Sequence, residues 1–269
     1  MNEHKKNEDF CKGEIGLAAL ISFVSNTLWK RVKIGIFKTI KEKPHEFVKR
    51  EEQFSEEEKL ELEQFLAIEI ICETVSYIEL LGAYLLAFSR KNPVIQKTLF
   101  EYEVKEVIKI FEGLEKQDID GIAELIGYPQ LFEFGPNLEE QKDKIEEYKK
   151  SLENIKNVLK EIGDFYLTNR EFYNDYKHGF RIFPTTSSPP DNPVFGVAVQ
   201  MKRGSTLNQA VFYTKQILDK KVGEALKMSD RVAQILEELI PVFRDRFIEG
   251  KKQFNLRLFG VPEDKIDEK

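Results

Sequence analysis

Apolar residues recur at three- and four-residue steps through most of the chain, and long helices are the elements this spacing predicts. From Glu14 to Ile40 the positions Leu17, Leu20, Ile21, Val24, Leu28, Val32, Phe37 and Ile40 give an amphipathic helix that Pro44 closes. Ser55 followed by Glu58 is the signature of a capping box, and the helix it opens is expected to run from Glu56 to Arg90, with Asn92 and Pro93 as the stop. Its middle, Phe65 to Phe88, is apolar almost all round, the pattern of a helix at the centre of a bundle. Glu69, Glu73 and Glu79 interrupt that run. Their cost in hydrocarbon argues against a membrane span although the length would allow one. Inside a protein, such carboxylates need a Lys or Arg from a neighbour, a hydroxyl, or a metal.

Further helices are expected over Val94 to Lys116 and Ile119 to Ile126, followed by a turn around Pro129, Gly135 and Pro136. Ile145, Tyr148, Leu152, Ile155, Val158, Leu159 and Ile162 mark another long helix, which Gly163 is expected to break or bend. The next helical stretch ends at Gly179, with Pro184 beyond it. Val194 to Met201 is then β-rich and bounded by Pro193 and Gly204, which reads as strand and turn. From Leu207 to Phe247 the pattern is helical again, with an interruption expected at Lys227 to Asp230, where Ser229 would cap, and a kink at Pro241. The expected fold is therefore mainly α, a multi-helix bundle with a small inserted β-hairpin around residues 181–203. It forms a single domain over 1–269 with a flexible tail at 1–12.

Composition adjusts this picture in few places. A 33% share of charged residues suits long solvated helices, and a net charge of -6 argues against a protein that coats nucleic acid non-specifically while leaving room for a local basic patch. Charge is distributed unevenly: residues 30–50 hold eight Lys and Arg against two Glu, while residues 51–90 hold ten Glu against Lys59 and Arg90. Two helix faces that attract each other account for this. The basic end of the first helix also permits residues 14–40 to lie on a membrane surface as a peripheral contact. Cys11 and Cys72 form no CxxC or Cys/His cluster, which argues against zinc or a disulfide framework and fits a reducing cytoplasm. No signal peptide is read at the N-terminus, the expected location is cytoplasmic, and no cofactor is implied. Phosphate-binding Gly-rich loops, a Ser nucleophile elbow and a dinucleotide fingerprint are all missing from the sequence.

Candidate chemistry concentrates in N-R-E-F-Y-N-D-Y-K-H-G-F-R, Asn169 to Arg181. Arg170, Asn174 and His178 are spaced i, i+4 and i+8, a drifting stripe along one helix face that ends at Gly179. His4 and His45 have no comparable setting.

An Arg followed along a helix by Asn and His near the helix end, in an all-helical protein, resembles the HEPN superfamily. Its active members are metal-independent ribonucleases, often toxins or defence factors. Here Glu171 stands where the family has Asn, Asp or His, and the seven residues between Arg170 and His178 exceed the family's spacing. The resemblance implies an RNA-directed activity using Arg170, Asn174 and His178. Cleaving RNA without a metal requires a base for the 2′-hydroxyl proton and a cation for the phosphorane; imidazole titrates in the right range, and guanidinium binds phosphate as a fork. On this reading His178 would be the acid or base, Arg170 the clamp and Asn174 the orienting group, with Lys177 and Arg181 on flanking phosphates and Tyr173 or Tyr176 stacking on bases. Other readings stand beside it. The same residues could cap helix carbonyls, with the aromatics as core packing. A non-catalytic helical module would engage a protein partner, a second copy or a membrane surface. Glu69 and Glu73 with His178 could also hold a divalent ion.

Overall fold

The computed structural model describes residues 16–44, 54–89, 98–99, 101–129, 142–177, 182–183, 194–200 and 209–245. Among them the protein is mainly α, with six helices: α1 (Gly16–Glu42), α2 (Glu56–Ser89), α3 (Val104–Gly113), α4 (Ile119–Ile126), α5 (Lys142–Lys177) and α6 (Lys215–Phe243). Three short strands precede α6: β1 (Ile182–Phe183), β2 (Val194–Gln200) and β3 (Gln209–Thr214). The tail 1–12 with His4 and Cys11, His45, the stop at Asn92 and Pro93, and the turn at Gly135 and Pro136 lie outside the described residues. So do His178, Gly179, Arg181, Pro184, Pro193 and Gly204.

The capping box at the start of α2 is formed. Ser55 Oγ accepts from the Glu58 amide at 3.2 Å, and the Glu58 carboxylate accepts from the Ser55 amide at 2.7 Å. These bonds, the backbone one first, hold the Glu58 carboxyl below its usual range. Along α2 almost every residue from Leu66 to Phe88 is buried. Among the described residues this is the one helix long and apolar enough to cross a membrane, and 83% of its most apolar stretch is buried inside the protein.

Chain packing divides the protein into two compact units, the first comprising Met1–Thr27, Glu79–Asp164 and Arg231–Lys269, the second Leu28–Ile78 and Phe165–Asp230. In the first unit, Tyr84, Leu85, Phe111, Ile122, Leu159, Ile162 and Leu239 are core residues. Of the helix expected over Val94 to Lys116, the start lies outside the described residues, residues 98, 99 and 101 are helical, and α3 opens at Val104, where Glu103 and Glu106 form a capping box. Gly163 does not break α5, which runs through it; it admits α3. A Cβ at Gly163 would lie 3.0 Å from Phe111 Cδ1, while one at Gly82 of α2 would overlap Val107 Cγ1 and lie 3.0 Å from Phe111 Cε2. The Phe111 ring thus fills a slot that two glycines leave open. Asp118 caps α4 by accepting from the Gly121 amide, and Gly127 ends it at φ 76, the left-handed conformation that glycine takes without a Cβ penalty.

In the second unit the buried set includes Ile34, Leu66, Ile70, Ile71, Phe165, Tyr166, Leu218 and Val222. The strands form one antiparallel sheet in the order β1-β2-β3, with Phe183 opposite Val197 and Val197 opposite Phe212. The sheet differs from the expected hairpin over 181–203 by its third strand. The longest pairing uses β3, which lies in residues that read as the start of the last helix. Thr214 ends that strand, and its Oγ1 accepts from the Ile217 amide at 3.4 Å, so α6 starts directly at Lys215. α6 is continuous through the expected interruption, with Ser229 buried within it, and it runs two residues past Pro241.

Candidate functional site

The last turns of α5 divide into two sides. Phe165, Tyr166, Asn169, Phe172 and Tyr173 recur at three- and four-residue steps and are buried, so they fix how the helix is seated in the second unit. On the opposite side Thr168, Glu171, Asn174 and Lys177 are exposed and Arg170 is half-exposed. Arg170 forms no ion pair among the described residues. The candidate stripe therefore starts on the solvent side, Arg170 and Asn174 one turn apart; its third member, His178, and the flanking Arg181 lie outside the described residues.

The two candidate tyrosines are engaged elsewhere. Tyr173 is buried, with the Lys177 ammonium 4.3 Å from its ring centroid. Tyr176 donates its phenolic hydrogen to Glu69 of α2. Burial first, and then this bond, pushes the Tyr176 phenol well above its ordinary range. One turn further along α2, Glu73 receives Lys30 Nζ at 2.7 Å and Lys33 Nζ at 3.2 Å from α1. Cys72 lies between the two glutamates, buried, and burial first and then their charges raise its thiol far above the usual range. A thiol so placed is inert at neutral pH.

The demand that the sequence places on the α2 carboxylates is thus met by a hydroxyl at Glu69 and by two ammonium groups at Glu73. In the first unit, Glu79 is met by Tyr102, which donates to it at 3.2 Å. Glu73 already carries two cations, which would repel a third. Among the described residues no group of three or more His, Cys, Asp and Glu could hold a metal ion.

A second polar cluster joins Asn169, the first residue of the candidate stretch, to Lys221 and Tyr213, which the sequence did not single out. Asn169 donates to the Phe165 carbonyl at 2.9 Å and accepts from Lys221 Nζ of α6 at 2.8 Å. The Lys221 ammonium lies 5.7 Å from the ring centroid of Tyr213 on β3, and burial pulls its ionisation below the ordinary value. Tyr213 also meets Phe172 edge-on at 5.7 Å, and its phenol is raised by burial first and then by the buried Asp175. Asn169 was legible as an inward position, three and four residues before Phe172 and Tyr173. Lys221 and Tyr213 carry no local signal. This cluster anchors α5, β3 and α6 beneath the solvent-side stripe.

Comparison with protein families, with curated proteins and with solved structures finds no match to this chain. A functional reading accordingly rests on its own residues.

Proposed function

We propose that the chain is a HEPN-like RNA-directed factor that cleaves RNA without a metal, using Arg170 and Asn174 near the end of α5 and His178, the next residue in the chain after that helix. The observation that carries this reading is the setting of Arg170: a half-exposed guanidinium with no ion-pair partner among the described residues, one turn from exposed Asn174, on the side away from the packed aromatics. A structural arginine in a chain this rich in glutamate would be expected to hold a carboxylate; an arginine with no such partner among the described residues suits a phosphate.

In this reading His178 takes the proton of a 2′-hydroxyl. The 2′-oxygen then attacks the adjacent phosphorus, the 5′-oxygen departs and takes up a proton, and a 2′,3′-cyclic phosphate remains. Arg170 holds the equatorial oxygens as charge grows on them, and Asn174 orients the phosphate or the imidazole. Lys177 and Arg181 supply flanking positive charge. This reading gives Tyr173, buried with Lys177 over its ring, and Tyr176, held through its hydroxyl by Glu69, no part in stacking on bases.

The test is incubation of the purified protein with assorted RNAs in the presence of a chelator, beside Arg170→Ala and His178→Ala. Cleavage that survives the chelator, leaves cyclic phosphate ends and falls by about a hundredfold or more in each variant is the expected result. Equal cleavage in all three proteins, or none in any, rules the reading out. The non-catalytic alternative draws on a different surface, described next.

A further inference from the structure

The outward face of α1 is apolar where a solvated helix would be polar. Within the second unit Leu28, Trp29, Val32 and Ile36 are 59%, 53%, 40% and 43% exposed. At 3.6 residues per turn these four fall within an arc of about 100°. The packed side is the other one, where Ile34 is buried and Lys30 and Lys33 reach Glu73. Those contacts fix the rotation of α1 and turn the apolar stripe outward.

Cations border the stripe. Arg31 and Lys38 are exposed along one edge, and the Lys33 ammonium lies 5.9 Å from the Trp29 ring centroid along the other. The helix holds a single acidic residue, Glu42, at its last position. Three kinds of occupant can be compared on these facts. A second copy would cover the apolar side chains but bring the bordering cations of both copies together. RNA would meet the cations but gain nothing from Leu28, Val32 and Ile36. An anionic bilayer rewards both: apolar side chains enter the boundary between headgroups and acyl chains, and the bordering cations meet lipid phosphates.

We propose that this face of α1 docks on an anionic lipid surface, with the helix lying in the plane of the interface. The docking is peripheral and does not depend on the ribonuclease reading.

Trp29 is the only tryptophan in the chain, so its emission reports on this face alone. Full-length protein mixed with phosphatidylglycerol-rich vesicles should show a blue shift of that emission and co-sediment. Both effects should be weak with pure phosphatidylcholine vesicles and reversed by high salt. Arg31→Gln and Lys38→Gln should each weaken partitioning by about fivefold. Val32→Glu combined with Ile36→Glu should abolish it while leaving the far-ultraviolet circular dichroism and the melting temperature unchanged, because both side chains are exposed. His178→Ala should bind as the unsubstituted protein does. Absence of shift and co-sedimentation with anionic vesicles at low salt overturns the proposal. So does an equal response to neutral vesicles, or a blue shift that needs no vesicles and grows with protein concentration, which would identify a second copy as the occupant.

Discussion

Tyr176 donates its phenolic hydrogen to Glu69, a carboxylate 8% exposed on the central helix, and so joins residues 107 apart in the chain. The bond gives the glutamate a partner and the end of α5 an anchor. Removing the hydroxyl leaves the carboxylate buried with one acceptor site empty, which costs about 1–3 kcal/mol. Tyr176→Phe should therefore lower stability by that amount in urea denaturation, while Glu69→Gln, whose amide oxygen still accepts, should lose less. If the two variants were equally harmless, the pair would have no structural weight.

Two buried tyrosines of the first unit should respond to the same substitution with opposite sign. Tyr84 donates to the Leu239 carbonyl at 3.0 Å, so Tyr84→Phe should cost about 1 kcal/mol by removing that buried hydrogen bond. The Tyr128 hydroxyl is buried and finds no hydrogen-bond partner among the described residues. Tyr128→Phe should be neutral or stabilise by up to about 2 kcal/mol, since it removes an uncompensated polar group. Chemical denaturation of the two variants side by side checks both signs.

Alkaline pH should weaken the fold. Burial is the largest cause that raises the phenols of Tyr84 and Tyr128, followed by Tyr128 for the first and Glu238 for the second. The folded state holds these protons above the ordinary value of 10.0, where the unfolded chain releases them. The stability contribution is thus fully present below that value and is lost as pH rises beyond it. Denaturation midpoints should be flat with respect to these groups at neutral pH and fall above pH ~10. Absorbance titration should show a fraction of the nine tyrosines ionising only as the protein unfolds.

Glycine substitutions should separate packing from propensity. Gly223→Ala meets nothing within 4 Å on the exposed side of α6 and should stabilise by about 1 kcal/mol. Gly163→Ala and Gly82→Ala press on Phe111, and on Val107 in the second case. They should lose about 1–3 kcal/mol through overpacking, more than alanine gains in a helix. Thermal melts of the three variants decide whether the Phe111 slot is as tight as its geometry.

The parts of the fold that were legible in the sequence are those set by neighbours along the chain. Ser55 and Glu58 marked the start of α2, and the run from Phe65 to Phe88 marked its burial. Gly163 reads as a break or a bend because a glycine that interrupts a helix and one that admits a ring look alike in sequence. β3 was missed because six residues alternating weakly before a long helical pattern read as part of that pattern. For the α2 glutamates the need for a partner was local, but its identity was not: Lys30 is 43 residues from Glu73 and Tyr176 is 107 from Glu69. In the candidate site, the i, i+4 spacing placed Arg170 and Asn174 on one side of α5. Whether that side faced solvent depended on Phe172, Tyr173 and Asn169 finding their contacts elsewhere.

The direct passage from Thr214 into Lys215 has a consequence for how this chain could diversify. With no connecting loop, strand register and helical phase are locked to one another. One inserted residue would turn α6 by about 100° relative to β3 and carry Leu218, Val222 and Ala225 away from the interior they now fill. Length changes at that junction are therefore forbidden by geometry rather than by chemistry. Variants that survive a tolerance screen for insertions should contain none between residues 209 and 225.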